Sequence, residues 1–269
     1  MKAKKTYLID REKRYINVTR DYRYFDKPGF LSFLYICFTA LPVVVLLLMF
    51  YPELTAAISA WAGGVVSQVT GVVTGLSSSE FIPVLGDVVF VDMPGTAPTA
   101  SFALVNLIVS LASMVFLSRL QCQARSFIIF VNMAMFVHGV SSAFFLLWPE
   151  CFPYVLTDYS ELYMEQQIGL WIMISVIAGI STGLIHAPLR AKLLAFYTTL
   201  GFSFIYGVTR YVVYMATLYW ITALYMATLF FTLGVLFDFM QLVCVYSIFV
   251  KYASSRIHAS KEASQWKWS

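Results

Sequence analysis

Charge is what this chain has least of. Only 12% of its 269 residues are charged, while 60% are apolar and 17% aromatic. An ordinary soluble domain carries roughly 25% charged residues, so most of this surface must meet lipid. Cysteine is also sparse: Cys37, Cys122, Cys151 and Cys244 form no CxxC and have no metal-ligand spacing. Cys37 and Cys244 lie in apolar runs, where cysteine behaves as a small hydrophobe. Cys151 alone is expected to face outward, which excludes an internal disulfide. P-loop, GxGxxG, HExxH and GxSxG motifs are absent, as are close histidine pairs, repeats and low-complexity tracts. The polar segments are too short for a nucleotide-binding domain. No cofactor, metal or catalytic set is therefore expected.

The third scarcity is positional. Pro52–Thr99 and Pro149–Glu165 hold no Lys or Arg, yet carry eight of the fourteen acidic residues. Seventeen of the eighteen Lys and Arg residues fall in Met1–Lys27, Arg119–Arg125, His186–Lys192 and Lys251–Ser269. Such alternation with apolar runs is the positive-inside pattern of a polytopic membrane protein. It predicts that both termini lie in the cytoplasm, with a bacterial inner membrane as the expected location. The basic segments meet lipid headgroups; no nucleic-acid partner is implied. Residues 1–27 lack the short apolar core and cleavage site of a signal peptide and are expected to be retained.

The predicted fold is an all-α integral membrane protein of six transmembrane helices. A basic cytoplasmic segment covers 1–29, the membrane domain 30–250 and a cytoplasmic tail 251–269. The spans read Phe30–Tyr51, Ala100–Leu117, Phe127–Trp148, Gln167–Ile185, Leu193 to about Trp220, and about Ile221 to Val250. Pro52 and Glu53 are expected to end the first. Residues 54–76 then carry Gly63, Ser67, Gly71 and Gly75 at four-residue spacing, a small-residue ladder suited to close helix packing. Were this segment a span, the charge rule would be inverted. It is therefore read as a re-entrant or interfacial helix within a small extracytoplasmic cap, 52–99, where β-branched Val84–Val91 suggests a short strand pair. Trp148, Trp171, Tyr219 and Trp220 fall near predicted span ends. Trp266 and Trp268 flank Lys267 in the tail and are suited to pressing it onto the inner leaflet.

Ionisable residues inside spans are costly, roughly 3 kcal/mol each on insertion scales, and are functional hypotheses by default. Three occur here: His138, Arg210 and Asp238. Counting residues from the predicted cytoplasmic ends at about 1.5 Å each puts His138 and Asp238 at matching mid-depth and Arg210 near the outer boundary. A His–Asp pair could relay protons or hold a polar ligand; alternatively each locks packing. Arg210 either snorkels to outer headgroups or forms an anion site with Glu165 or Glu161 as counter-charge. The tyrosine-rich acidic loop 149–166 would suit a sugar or cation, but also suits an ordinary interface.

His186–Arg210, with Pro188, Arg190, Lys192 and Gly207-Val208-Thr209-Arg210, resembles the arginine-bearing span of exosortase and archaeosortase proteins over about a quarter of the chain. That family consists of membrane cysteine enzymes with a Cys–Arg–His set at the outer face. Here no cysteine stands near Glu165-Gln166-Gln167, and no histidine follows Arg210 within a span. The resemblance thus implies at most a relative lacking the nucleophile. The expected role is a non-catalytic membrane subunit of an envelope assembly, secretion or export complex. Its expected partners are lipid and other membrane subunits or further copies of itself. The alternatives are a small transporter or channel using His138, Asp238 and Arg210, and a degenerate exosortase-like protein with an outer-face site.

Overall fold

A computed structural model describes residues 29–83, 85–120, 125–185 and 187–259. The elements run α1 (Phe30–Thr70), β1 (Gly75–Ile82), β2 (Gly86–Asp92), α2 (Ala100–Arg119), α3 (Arg125–Leu147), α4 (Leu156–Gly183), α5 (Leu189–Trp220), α6 (Met226–Leu233) and α7 (Val235–Ala259). Single 3₁₀ turns, Pro149–Cys151 and Ala223–Tyr225, precede α4 and α6. Among the described residues, six helical segments are long and apolar enough to cross a membrane, the last running through α6 and α7. The basic N-terminal stretch, Cys122, His186, Trp266 and Trp268 lie outside the described residues.

Pro52 does not end the first helix. α1 continues for 41 residues, about 62 Å at 1.5 Å per residue, twice the hydrocarbon thickness of about 30 Å. The separate helix expected at 54–76 is the continuation of the first up to Thr70. An interior proline removes one helical hydrogen bond, but tertiary contacts hold the helix beyond it. Tyr51, Thr55, Ser59, Gly63 and Ser67 recur every four residues and share one face. Tyr51 Oη donates to the Gly86 carbonyl (2.6 Å) and Ser59 Oγ to the Val89 carbonyl (2.8 Å). The Val89 amide donates to Thr55 Oγ1 (3.2 Å).

The small-residue ladder therefore receives a strand rather than a helix. A side chain at Gly63 would stand 3.0 Å from Thr74 Oγ1, and Ser67 Oγ hydrogen-bonds that hydroxyl at 2.9 Å. Gly71 and Gly75 lie off the helix altogether. Gly71 has φ +74° and its amide donates to the Ser67 carbonyl, the left-handed residue that closes a helix C-terminus. Gly75 opens β1 opposite Asp92. The strand pair expected at Val84–Val91 exists as the antiparallel β1–β2 hairpin, with β1 supplied by upstream residues.

The described chain forms two compact units. One combines residues up to Val45 with Ile172–Phe202 and the chain from Met240 on. There α1 and α4 approach closely: a side chain on Gly179 would stand 2.8 Å from Ala40 Cβ, the contact expected of small residues between membrane helices. Tyr35 Oη and Thr182 Oγ1 hydrogen-bond at 3.1 Å. Lys192 Nζ donates to the Gly183 carbonyl (3.0 Å), placing a cation at the negative end of α4. Ile185, Ala195, Phe249 and Val250 pack together beside this contact.

The second unit, Leu46–Trp171 and Ser203–Phe239, holds the hairpin, α2, α3 and α6. α4 begins at Leu156, so Tyr159, Glu161, Tyr163 and Glu165 are helical rather than part of an outer loop. Trp171 is buried, with Nε1 3.4 Å from the Ser203 carbonyl and its ring against Phe204. It does not mark an interface. Replacing Gly179 by Val should lower the stability of the detergent-solubilised protein by about 1–3 kcal/mol through overpacking against Ala40. Gly64, which has open space around it, should tolerate Ala in the same thermal melt with much less effect.

Candidate functional site

A single glycine breaks the last span. α6 stops at Leu233 and α7 starts at Val235, and the residue between them has to be glycine, since a side chain at Gly234 would collide with the Phe230 carbonyl oxygen. The break leaves the last carbonyls of α6 without helical partners, the negative pole of that helix. In hydrocarbon every such group must find a donor. Arg210 supplies it at the end of α6, where Nη1 donates to the Leu233 carbonyl (2.5 Å); the same nitrogen reaches the Gly234 carbonyl (3.2 Å), which already accepts from the Phe237 and Asp238 amides of α7. Tyr214, one turn along α5, donates to the Leu229 carbonyl at 2.7 Å.

Asp238 completes the arrangement from the first turn of α7, where the helix dipole favours a carboxylate. Arg210 Nη1 donates to Asp238 Oδ2 at 2.6 Å. Arg210 Nη2 donates to Gln167 Oε1 at 2.5 Å, and Nε to Tyr163 Oη at 2.8 Å. The rings of Tyr163 and Tyr206 lie 5.3 and 5.2 Å from the guanidinium carbon, within cation–π range. Arg210 is 3% exposed and Asp238 0%, so the arginine does not snorkel. Because Gln167 takes the second terminal nitrogen, Asp238 binds through one oxygen. Asp238 Oδ1 and Gln167 Nε2 are buried without hydrogen-bond partners among the described residues.

The expected counter-charge was Glu165 or Glu161, and the structure puts Asp238 there instead. Glu165 is two residues from both Tyr163 and Gln167, about 200° around the helix, and so points away from Arg210. The matching of His138 with Asp238 is also corrected. His138 sits between α2 and α6, with Nδ1 2.9 Å from Thr228 Oγ1 and Nε2 3.2 Å from Asn106 Oδ1. Tyr225 Oη donates to that same Asn106 oxygen at 2.9 Å. Its ring lies 4.5 Å from the imidazole, centre to centre. An amide oxygen only accepts, so Nε2 carries the proton and Nδ1 accepts from Thr228. A neutral imidazole is fully satisfied in this way.

Six participants were not proposed as site residues from sequence: Tyr163, Gln167, Tyr206, Gly207, Tyr214 and Gly234. Spacing was the available signal. Tyr163 and Gln167 are four residues apart, as are Tyr206, Arg210 and Tyr214, which aligns each set on one helix face. Gly207 makes room, since a side chain there would stand 2.8 Å from Gln167 Cδ. Its carbonyl accepts from Tyr163 Oη at 2.7 Å. An aromatic layer links the site to the hairpin. Tyr163 stacks on Tyr211, whose hydroxyl accepts from the Val91 amide (2.8 Å) and pairs with Ser160 Oγ (2.5 Å).

No protein family, curated protein or solved structure matches the chain.

Breaking a buried ion pair from one side strands the other charge, at about 3–5 kcal/mol. Asp238→Leu should lower unfolding free energy by that order in a denaturant titration in detergent. Arg210→Met combined with Asp238→Leu should lose clearly less than the two single changes summed. Additivity would show that the pair is not coupled.

Proposed function

We propose that this chain is a non-catalytic integral membrane subunit of a larger envelope assembly, secretion or export complex, resident in a bacterial inner membrane. The observation that carries this reading is the use made of the chain's one intramembrane arginine. All three guanidinium nitrogens of Arg210 donate to protein acceptors at a helix break. A cation so engaged has a structural task and offers little to a substrate. His138 is likewise spent on Asn106 and Thr228. The exosortase resemblance argues the same way: that family's cysteine would fall near Glu165-Gln166-Gln167, where this chain has none, and Gln167 instead accepts from the arginine. The transporter alternative would need Asp238 free to exchange ions, whereas Arg210 holds it.

In this reading both termini are cytoplasmic. The hairpin and the part of α1 beyond Pro52 form the extracytoplasmic cap, and residues 54–70 stand as a stalk under it rather than as a re-entrant segment. An impermeant thiol reagent tests the orientation in a Cys151→Ser background. Cysteine introduced at exposed Ser78 should react on intact cells, and native Cys122 only after permeabilisation. Reaction of both from one side would overturn the orientation. Affinity purification in mild detergent tests the role. Stoichiometric co-elution of other membrane proteins is expected, and a lone monodisperse monomer would refute it.

A further inference from the structure

The two edges of the hairpin are treated differently. On β2 the outward groups are consumed by helix side chains. The Val89 amide and carbonyl go to Thr55 and Ser59, the Gly86 carbonyl to Tyr51, and the Val91 amide to Tyr211. Val89 and Val91 therefore direct their main-chain groups away from β1. In an antiparallel ladder their partners, Ser78 and Leu76, direct theirs outward on the other side. Glu80, opposite Asp87, follows the same alternation. Leu76, Ser78 and Glu80 are all exposed. Their outward amides and carbonyls meet no hydrogen-bond partner among the described residues. No proline or lysine protects this edge, although proteins commonly blunt free strands with such residues. Unpaired main-chain groups are also excluded from hydrocarbon, which puts this edge in water.

Charge identifies the class of occupant. Glu80 and Asp87 stand directly opposite each other on one face, both exposed, an arrangement that like charges disfavour. Glu53 adjoins Pro52, which packs on Gly86 at the turn. No Lys or Arg occurs anywhere in 52–99 to offset them. We infer that the free edge of β1 at Leu76–Glu80 receives an extended, lysine- or arginine-bearing segment of a partner protein by strand addition. The main chain of such a segment supplies the ladder bonds, and its basic side chains, alternating along one face, meet Glu80 and Asp87. The inference rests on the subunit reading and names the surface through which that subunit is engaged.

The probe is a fluorescent nine-residue peptide of alternating Lys and Val, titrated onto the full chain in nanodiscs of neutral lipid. Its counterpart has Glu in place of Lys. The Lys peptide should bind saturably and weaken with salt, and the Glu peptide should not bind. Ser78→Pro removes one outward amide without touching the β1–β2 ladder. It should weaken binding roughly fivefold, the loss of about one main-chain hydrogen bond. Glu80→Gln with Asp87→Asn leaves the strand intact and should weaken binding by a similar factor, about fivefold, while flattening the salt dependence. Equal binding of both peptides, or unchanged affinity in the charge variant, overturns the assignment. Self-association of the chain that is lost on Ser78→Pro also overturns it, since the occupant would then be a second copy. Partners that co-purify equally with wild type and Ser78→Pro keep the subunit reading and reject the edge. Peptide binding by a protein that purifies alone does the reverse.

Discussion

A cation placed against a broken helix organises the larger unit of this protein. Ending a helix inside a membrane span exposes carbonyls that lipid cannot solvate. Arg210 meets one of them directly, at Leu233, and brings Asp238, at the start of the next helix, into its coordination. Arginine suits this task because its planar fork stays charged and offers several donors in fixed directions. Tyr163 and Gln167 on α4 take the remaining donors, so three helices and the break between two of them meet at one side chain. Each partner alone would be a burial liability; together they are mutually satisfied, apart from one oxygen of Asp238 and the amide nitrogen of Gln167.

The hairpin is held by related logic. A two-stranded sheet is marginal by itself, but β2 lies along a helix whose residues at four-residue spacing present hydroxyls in place of a third strand. Tyr211 joins that contact to the arginine layer, since its hydroxyl takes the Val91 amide and its ring stacks on Tyr163. Main-chain demand in the hairpin and charge demand at the helix break are thus met by neighbouring residues of α5. One edge of the hairpin is closed by these bonds and the other is left available.

Close helix packing is found in a different place from where spacing suggested. Gly63 and Ser67 accept the hairpin, while Gly179 meets Ala40. A ladder of small residues records only that something approaches the backbone closely; a strand and a helix satisfy it equally.

Composition was sufficient to read six segments long and apolar enough to cross a membrane, and the presence of a strand pair, because hydrocarbon imposes length and polarity on each segment separately. The ionisable residues could be named on the same ground, since each is anomalous where it stands. Which of them meet could not be read. Depth was counted from Val250, but α7 runs to Ala259, and those nine residues amount to about 14 Å of rise. With that length restored, Asp238 and Arg210 each lie twenty-one residues from a helix end, at Ala259 and Leu189 respectively. Helix ends and the break at Gly234 are settled by contacts between segments far apart in the chain, and so is the choice of Asp238 over Glu165 as partner. Those contacts are properties of the packed molecule, whereas hydrophobic length and charge belong to each segment alone.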